Sequence, residues 1–401
     1  MTARPLNGIR VVDMSSFVAG PTAGRVLAEL GAEVIRVDPI SGAVDGNRWP
    51  VTDDGASLYW AGLNQAKKSV TVDLRSEAGR GFVTDLVADS GILLENAAHA
   101  PWLDNTVLTR RRPDLIHLHV EGHADGTPAV DYTVNAEVGL PLMTGAPSSD
   151  TPVNHVLPAW DLLTGLYAAL GLVTALRRRD QTGQGSYLQL ALGDVALSAV
   201  ASMGWVAEAD RSGAARGRQG NALFGSYGAD FPTADGRAVM IVGLTTGQWR
   251  ALVDVTGTAD IFSALERHRG LDLSVEADRY AARDAITAVL QPWFAARSLA
   301  QLEAEFDGTR VLWSAYRTLA EVAADIRCLD GDGVVQEVVQ PGIGTMLTSR
   351  SPLRWSGVYT DAAAAPVSGA HTRDVATAAG LDSRTIDDLV ESGVLGEAEA
   401  K

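Results

Sequence analysis

The sequence predicts an α/β protein, with a doubly wound, Rossmann-like parallel sheet and a smaller α+β domain. Three observations carry this. Short β-branched runs alternate with helical periods through the first hundred residues, a stretch rich in Arg, Gly and Ala interrupts the pattern after residue 209, and strand-and-turn character returns beyond residue 331. At 401 residues the chain exceeds what one compact core usually holds. The expected division is 1–205 for the first part of the large domain, 206–330 for a linker and the small domain, and 331–401 for strands and a C-terminal helix returning to the large domain.

In order, Gly8–Asp13 reads as a strand, Pro21–Leu30 as a helix stopped by Gly31, and Glu33–Val37 as the next strand. The alternation continues through a strand at Ser69–Asp73, a helix near Glu77–Asp89, and strands at Ile92–Glu95 and Leu115–His119. Ligands of open parallel sheets sit at the carboxyl ends of strands, which points to Ser15–Pro21, Asp38–Gly42 and Glu95–Trp102 as binding loops. Trp160–Leu176 is apolar on nearly every face and predicts a buried helix ended by Arg177–Arg179. A turn at Thr182–Gly185 leads to a strand at Tyr187–Leu192, and Asp194 is placed to cap a helix through Met203. Ala209–Gly220 reads as a linker, Asn221–Leu244 as a hairpin about Asp235-Gly236, Gln248–Ala324 as helical, Gly331–Gly357 as strands and turns, and Arg373–Glu399 as a helical tail.

Composition narrows the function. A formal net charge of −16, from 33 Lys and Arg against 49 Asp and Glu, disfavours nucleic acid and anionic membrane surfaces, while a small anionic ligand needs only a few placed cations. The single cysteine, Cys328, rules out an internal disulfide framework and fits a reducing cytoplasm. Uninterrupted apolar runs fall short of the roughly 18 residues of a membrane span, and Met1–Asn7 lacks a secretory pattern. Neither a Gly-x-Gly-x-x-Gly after the first strand, nor a P-loop, nor a Gly-x-Ser-x-Gly elbow occurs. His117, His119 and His123 lack a carboxylate or thiol at metal-ligand spacing, so no metal is expected.

Asp161 opens the long apolar helix. A plain N-cap aspartate fits that position; so does a nucleophile kept ionised by the helix dipole and stripped of water by apolar neighbours. Lys67 and Lys68, before the third strand, likewise suit either a solvated turn or a phosphate contact.

Leu6–Asp13, Ala19–Pro21, Leu30–Val37, Asn64–Leu74 and Leu94–Asn96, followed by Trp160–Gly165 and Arg178–Gly185, resemble in order the class III CoA-transferase family. Further segments, Asp45–Pro50, Val130–Asn135, Val153–Asp161 and Arg218–Asn221, resemble members that move CoA between the two carboxyl groups of one dicarboxylic acid. The resemblance implies an acyl-CoA substrate with CoA as part of it, no tightly bound cofactor, an interlocked homodimer, and Asp161 as covalent nucleophile. It also implies CoA contacts from Ser16, Phe17, Val18, Ala19, Arg36, Asn64, Lys67, Lys68 and Asn96, and substrate contacts from Arg48, His155, Arg218, Gly220 and Asn221. Racemases of the same family use a histidine and a glutamate as proton-transfer partners; their places here fall at Val130 and near Thr245–Thr246, which cannot move a proton, so transfer is favoured over racemisation.

Overall fold

The computed structural model describes residues 4–97, 100–328 and 333–398. The boundary expected at 330–331 and the last residue of the expected tail, Glu399, lie outside them. The chain forms two compact units, one of Met1–Val138, His155–Glu208 and Ala323–Lys401, the other of Gly139–Asn154 and Ala209–Val322.

In the first unit the strands are β1 (Arg10–Met14), β2 (Glu33–Pro39), β3 (Lys68–Val72), β4 (Ile92–Glu95), β5 (Ile116–Glu121) and β6 (Ser186–Ala191). They pair in parallel in the order β3-β2-β1-β4-β5-β6. Alternation sorts the side chains: Val12, Ile35, Val70 and Leu93 face a layer containing Phe82, Leu86, Val375 and Ile386, while Val11, Val34, Leu94 and Leu118 face one containing Leu27, Ala168 and Leu172. Because β1 pairs with both β2 and β4, strand order reverses there, and a crevice opens beyond their carboxyl ends.

The second layer joins helix Ala19–Glu29 to helix Ala159–Thr182. Their backbones approach at Gly165, where an added Cβ would lie 2.6 Å from the Ala19 carbonyl oxygen and 2.7 Å from Thr22 Cβ. Small residues at Gly165, Ala168 and Ala169 thus bring Asp161 against the β1 loop. Ala159–Thr182 is, among the described residues, a helix long and apolar enough by length and composition to cross a membrane, although Asp161 and Arg177–Arg179 bound its uninterrupted apolar run. It is not buried all round: Leu166, Tyr167 and Leu170 are exposed, because the neighbours in this chain cover one side only.

In the second unit, β7 (Tyr227–Pro232) and β8 (Ala238–Gly243) form the expected hairpin, and β9 (Leu312–Ala315) pairs antiparallel with β8. The helical surroundings hid β9, which is four residues long. Phe231 and Phe294 stack at 4.3 Å in a core shared with Trp249, Ile286 and Phe306.

The chain then returns to the first unit through the hairpin β10 (Val335–Gln340) and β11 (Gly344–Ser349) and the short pair β12 (Arg354–Trp355) and β13 (Val358–Tyr359). Three local expectations need correction. Ala209–Gly220 starts inside helix Trp205–Ser212; Asp194 lies within helix Leu192–Ser202, which has no side-chain cap; and the tail forms two helices, Thr372–Ala378 and Ser383–Glu391, followed by β14 (Leu395–Gly396), antiparallel to β3.

Gly165→Ala is expected to lower stability by about 1–3 kcal/mol, since two helices must part to admit the methyl group. Gly171→Ala, whose Cβ would meet only Leu118 and Leu188 side chains at 3.4 Å and beyond, is expected to cost far less. Denaturant unfolding of both variants checks the contrast.

Candidate active site

At the strand-order reversal, β1 turns through Ser15, Ser16 and Phe17 into helix Ala19–Glu29, and each of the three amides is tied down. Ser15 N–H donates to Asp13 Oδ1 at 3.0 Å, and its hydroxyl bonds the same oxygen. Ser16 N–H donates to Asn96 Oδ1 at 3.0 Å, while Asn96 Nδ2 donates back to the Ser16 carbonyl at 3.1 Å. Phe17 N–H donates to Asp45 Oδ2 at 2.7 Å. Phe17 has φ 68°, a left-handed conformation that a non-glycine residue holds only when its surroundings impose it.

Those surroundings are a buried charge network. Lys67 Nζ donates to Asp13 Oδ2 at 2.8 Å, to the Pro21 carbonyl at 3.0 Å and to Asn64 Oδ1 at 3.0 Å. Arg36 donates to Asn64 at 3.0 Å, to Asp38 at 2.9 Å and to Asp45 at 3.1 Å. Burial pulls the Lys67 ammonium down to about 8, with Asp13 opposing. Arg36, Asn64 and Lys67 are therefore not free for the CoA contacts expected of them: they are buried and engaged with one another and with aspartates. Lys68 pairs instead with Glu33, partly exposed.

A cavity of about 420 Å³ lies over this loop, lined by Ser16, Phe17, Val18, Ala19, Asn96, His119, Gly122, Pro128, Val130 and Asp161 among others. Six of the expected site residues thus meet at one place: Ser16, Phe17, Val18, Ala19, Asn96 and Asp161. Helix Ala19–Glu29 has no side-chain cap, so its first amides have no partner within the helix.

Asp161 is in the first turn of its helix, but it is not the cap; Pro158 holds that position. The first-turn amides belong to Asp131, whose Oδ2 accepts from Trp160 N–H at 2.7 Å and Asp161 N–H at 3.2 Å. Burial pushes the Asp161 carboxyl up to about 6, the neighbouring charge of Asp131 adds to the rise, and Arg48 opposes it. Desolvation is thus the largest influence on Asp161, and it makes this carboxyl harder to ionise than an exposed aspartate.

The other expected residues separate. Arg48 is exposed, with its guanidinium 5.4 Å from the Phe17 ring and 5.5 Å from the Tyr59 ring, and it acts electrostatically on Asp161. His155 is engaged by Asp131, Nε2 to Oδ1 at 2.6 Å. Arg218, in the second unit, spends its guanidinium on the carbonyls of Leu142, Ser149, Asp150 and Thr151, so it braces a loop and is not free to anchor a substrate. Gly220 donates to the Gly145 carbonyl at 3.0 Å within the same unit, and Asn221 is exposed there.

Sequence reasoning took in Asp131, Asp45 and Glu95 only as members of resembling segments or of a binding loop and gave none of them a role. Glu95 Oε1 meets His117 Nε2 at 3.0 Å and His119 Nδ1 at 2.6 Å. Burial works against its charge, but the bonds from His117 and His119 hold the carboxyl down at about 2, and Glu95 in turn raises His119. Among the described residues no group of His, Cys, Asp and Glu is arranged to hold a metal.

Lys67→Met is expected to cost roughly 3–5 kcal/mol, because it strands Asp13 as a buried unpaired charge. Lys68→Met should cost less than about 1 kcal/mol, its ion pair being open to solvent. Urea unfolding at pH 7 measures both, and equal losses would contradict the assignment of Lys67 to the interior.

Residues 6–372 match the model of CoA-transferase family III. The chain is 44% identical to 2-methylfumaryl-CoA isomerase of Chloroflexus aurantiacus over 97% of each chain. It is 28% identical to succinyl-CoA:mesaconate CoA-transferase of Haloarcula marismortui over 95% of this chain and 98% of that one. Among solved structures, a CAIB/BAIF family protein from Brucella suis superposes with a TM-score of 0.77 at 26% identity, covering 94% of this chain and 99% of the other. The chain belongs to CoA-transferase family III.

Proposed function

We propose that this enzyme moves CoA between the two carboxyl groups of one C5 unsaturated dicarboxylic acid, as a 2-methylfumaryl-CoA (mesaconyl-CoA) isomerase, with Asp161 as covalent nucleophile. The observation that carries the proposal is a dehydrated carboxylate, Asp161, opening onto the Ser16–Ala19 cavity in a chain 44% identical over nearly its whole length to a protein of that name.

An Asp161 oxygen attacks the thioester carbonyl, the C–S bond breaks, and CoA thiolate leaves behind a mixed anhydride. The thiolate attacks Asp161 Cγ and displaces the dicarboxylate, giving an aspartyl-CoA thioester. The freed acid turns within the cavity, and its other carboxylate attacks Cγ and expels the thiolate. Attack of that thiolate on the new acyl carbonyl restores Asp161 and completes the isomer, with no net gain or loss of atoms or protons. Burial keeps water from the anhydride and the thioester.

Ser16 and Phe17 amides are committed to Asn96 and Asp45, so the developing oxyanion falls to the uncapped start of helix Ala19–Glu29. Arg48 is the cation left to hold the spare carboxylate, since Arg218 and His155 are already engaged. The working form is a cytoplasmic homodimer. Leu166, Tyr167 and Leu170, with Leu197 and Met203, expose apolar surface that a second copy would cover.

Asp161→Asn is expected to reduce kcat by about a thousandfold or more with the fold retained, and hydroxylamine should trap the wild-type enzyme during turnover. Ionised Asp161 is the active form, so kcat/KM should fall as pH drops through about 6 and hold steady above it. Labelled free mesaconate added during turnover should stay out of the product; its incorporation would establish intermolecular transfer instead. Leu166→Arg combined with Leu170→Glu should yield monomers in sedimentation velocity, and an unchanged dimer would place the interface elsewhere.

A further inference from the structure

Asp131 has no role in the chemistry above, yet it is placed to act on the nucleophile. Helix Asp131–Glu137 turns Asp131 and Asn135, one turn apart, towards the first turn of helix Ala159–Thr182. Asn135 Oδ1 accepts the Trp160 indole N–H at 3.0 Å, and Asp131 Oδ2 accepts the backbone N–H groups of Trp160 and of Asp161 itself. The other carboxylate oxygen is fixed by His155 at 2.6 Å, and the residue is 2% exposed.

A helix is usually capped by a neutral or acidic side chain next to it in sequence. Here the cap comes from thirty residues upstream and bonds the nucleophile's own amide. Fixing the amides of residues 160 and 161 fixes the Cα–Cβ direction of Asp161. The same carboxylate sets a like charge beside the nucleophile, and a carboxylate made more basic by a like charge is a better nucleophile.

We infer that Asp131 is a positioning residue for Asp161: it locks the helical turn that carries the nucleophile and sets a second, buried carboxylate beside it. The inference rests on Asp161 being the nucleophile. Other groups facing the Asp161 carboxyl are Arg48, which opposes the effect, and Tyr59 of helix Leu58–Leu63, itself under the influence of Asp45. Cap and charge are separable. Asp131→Asn keeps an oxygen for the amides and loses the charge, whereas Asn135→Ala loosens the Trp160 clamp and leaves the charge.

The test reads Asp161 with and without substrate. A carboxyl whose folded-state pKa is raised costs stability once ionised, and the cost vanishes as pH falls below its unfolded value. Asp161→Asn should therefore raise the melting temperature at pH 7.5 and lose that advantage near pH 4, and the pH at which the advantage levels off reports the folded-state Asp161 titration. With Asp131→Asn as parent, that inflection should move to lower pH, the acid limb of kcat/KM should move with it, and kcat should fall about tenfold with KM within about twofold. Asn135→Ala should lower kcat without moving either inflection. Asp131→Ser, a neutral cap, serves as a second charge-free variant should Asp131→Asn fail to fold.

Unmoved inflections in the charge-free variants would overturn the inference and leave Asp131 a purely structural cap. Full activity of Asp161→Asn would instead sink the nucleophile assignment, while the substrate-free titration would still report whether Asp131 acts on Asp161.

Discussion

A lysine ammonium sealed from water holds the cavity together. Lys67 binds Asp13, the Pro21 carbonyl and Asn64 at once, and so joins the end of β1, the start of its following helix and the approach to β3. Through Asn64 the pairing extends to Arg36, and from Arg36 through Asp45 to the amide of Phe17. Each buried charge would be costly alone, and the network is tolerable because every member faces an opposite charge or a dipole. What it secures is geometric: an otherwise unfavourable Phe17 backbone that faces Asp161 across one cavity.

The proposed nucleophile has the opposite environment. Asp13, Asp38 and Asp45 are matched by cations, whereas Asp161 is left with burial and a neighbouring aspartate against the single opposing influence of Arg48. Of these four carboxylates Asp161 is the least compensated, and it lines the cavity.

The sheet was legible in the sequence because parallel strands buried on both faces are written as β-branched runs, from Arg10–Met14 to Ile116–Glu121, within a residue or two of expectation. Motif resemblance drew attention to Asp161 and the Ser16–Ala19 loop. It did not reveal that Lys67, Arg36 and Asn64 turn inward, because a basic residue before a strand looks the same in sequence whether its partner is a phosphate or an aspartate fifty residues away. The role of Asp131 was invisible for a related reason: a cap supplied from a distant helix leaves no local signature, and local signals named Asp161 for that position. The strands β9 and β14, four and two residues long, are too short to show a period of two.

The far edge of the sheet has a bearing on how the chain matures. β3 would end the sheet with open peptide groups, but His371 N–H donates to the Ser69 carbonyl, Gly369 N–H to the Ser69 hydroxyl, and β14 pairs with Thr71 and Val72. Residues 369–396 therefore seal a strand made about three hundred residues earlier. During synthesis on the ribosome that border stays unsealed until residues 369–396 have emerged, and a nascent chain halted short of them would offer a bare strand to any neighbour.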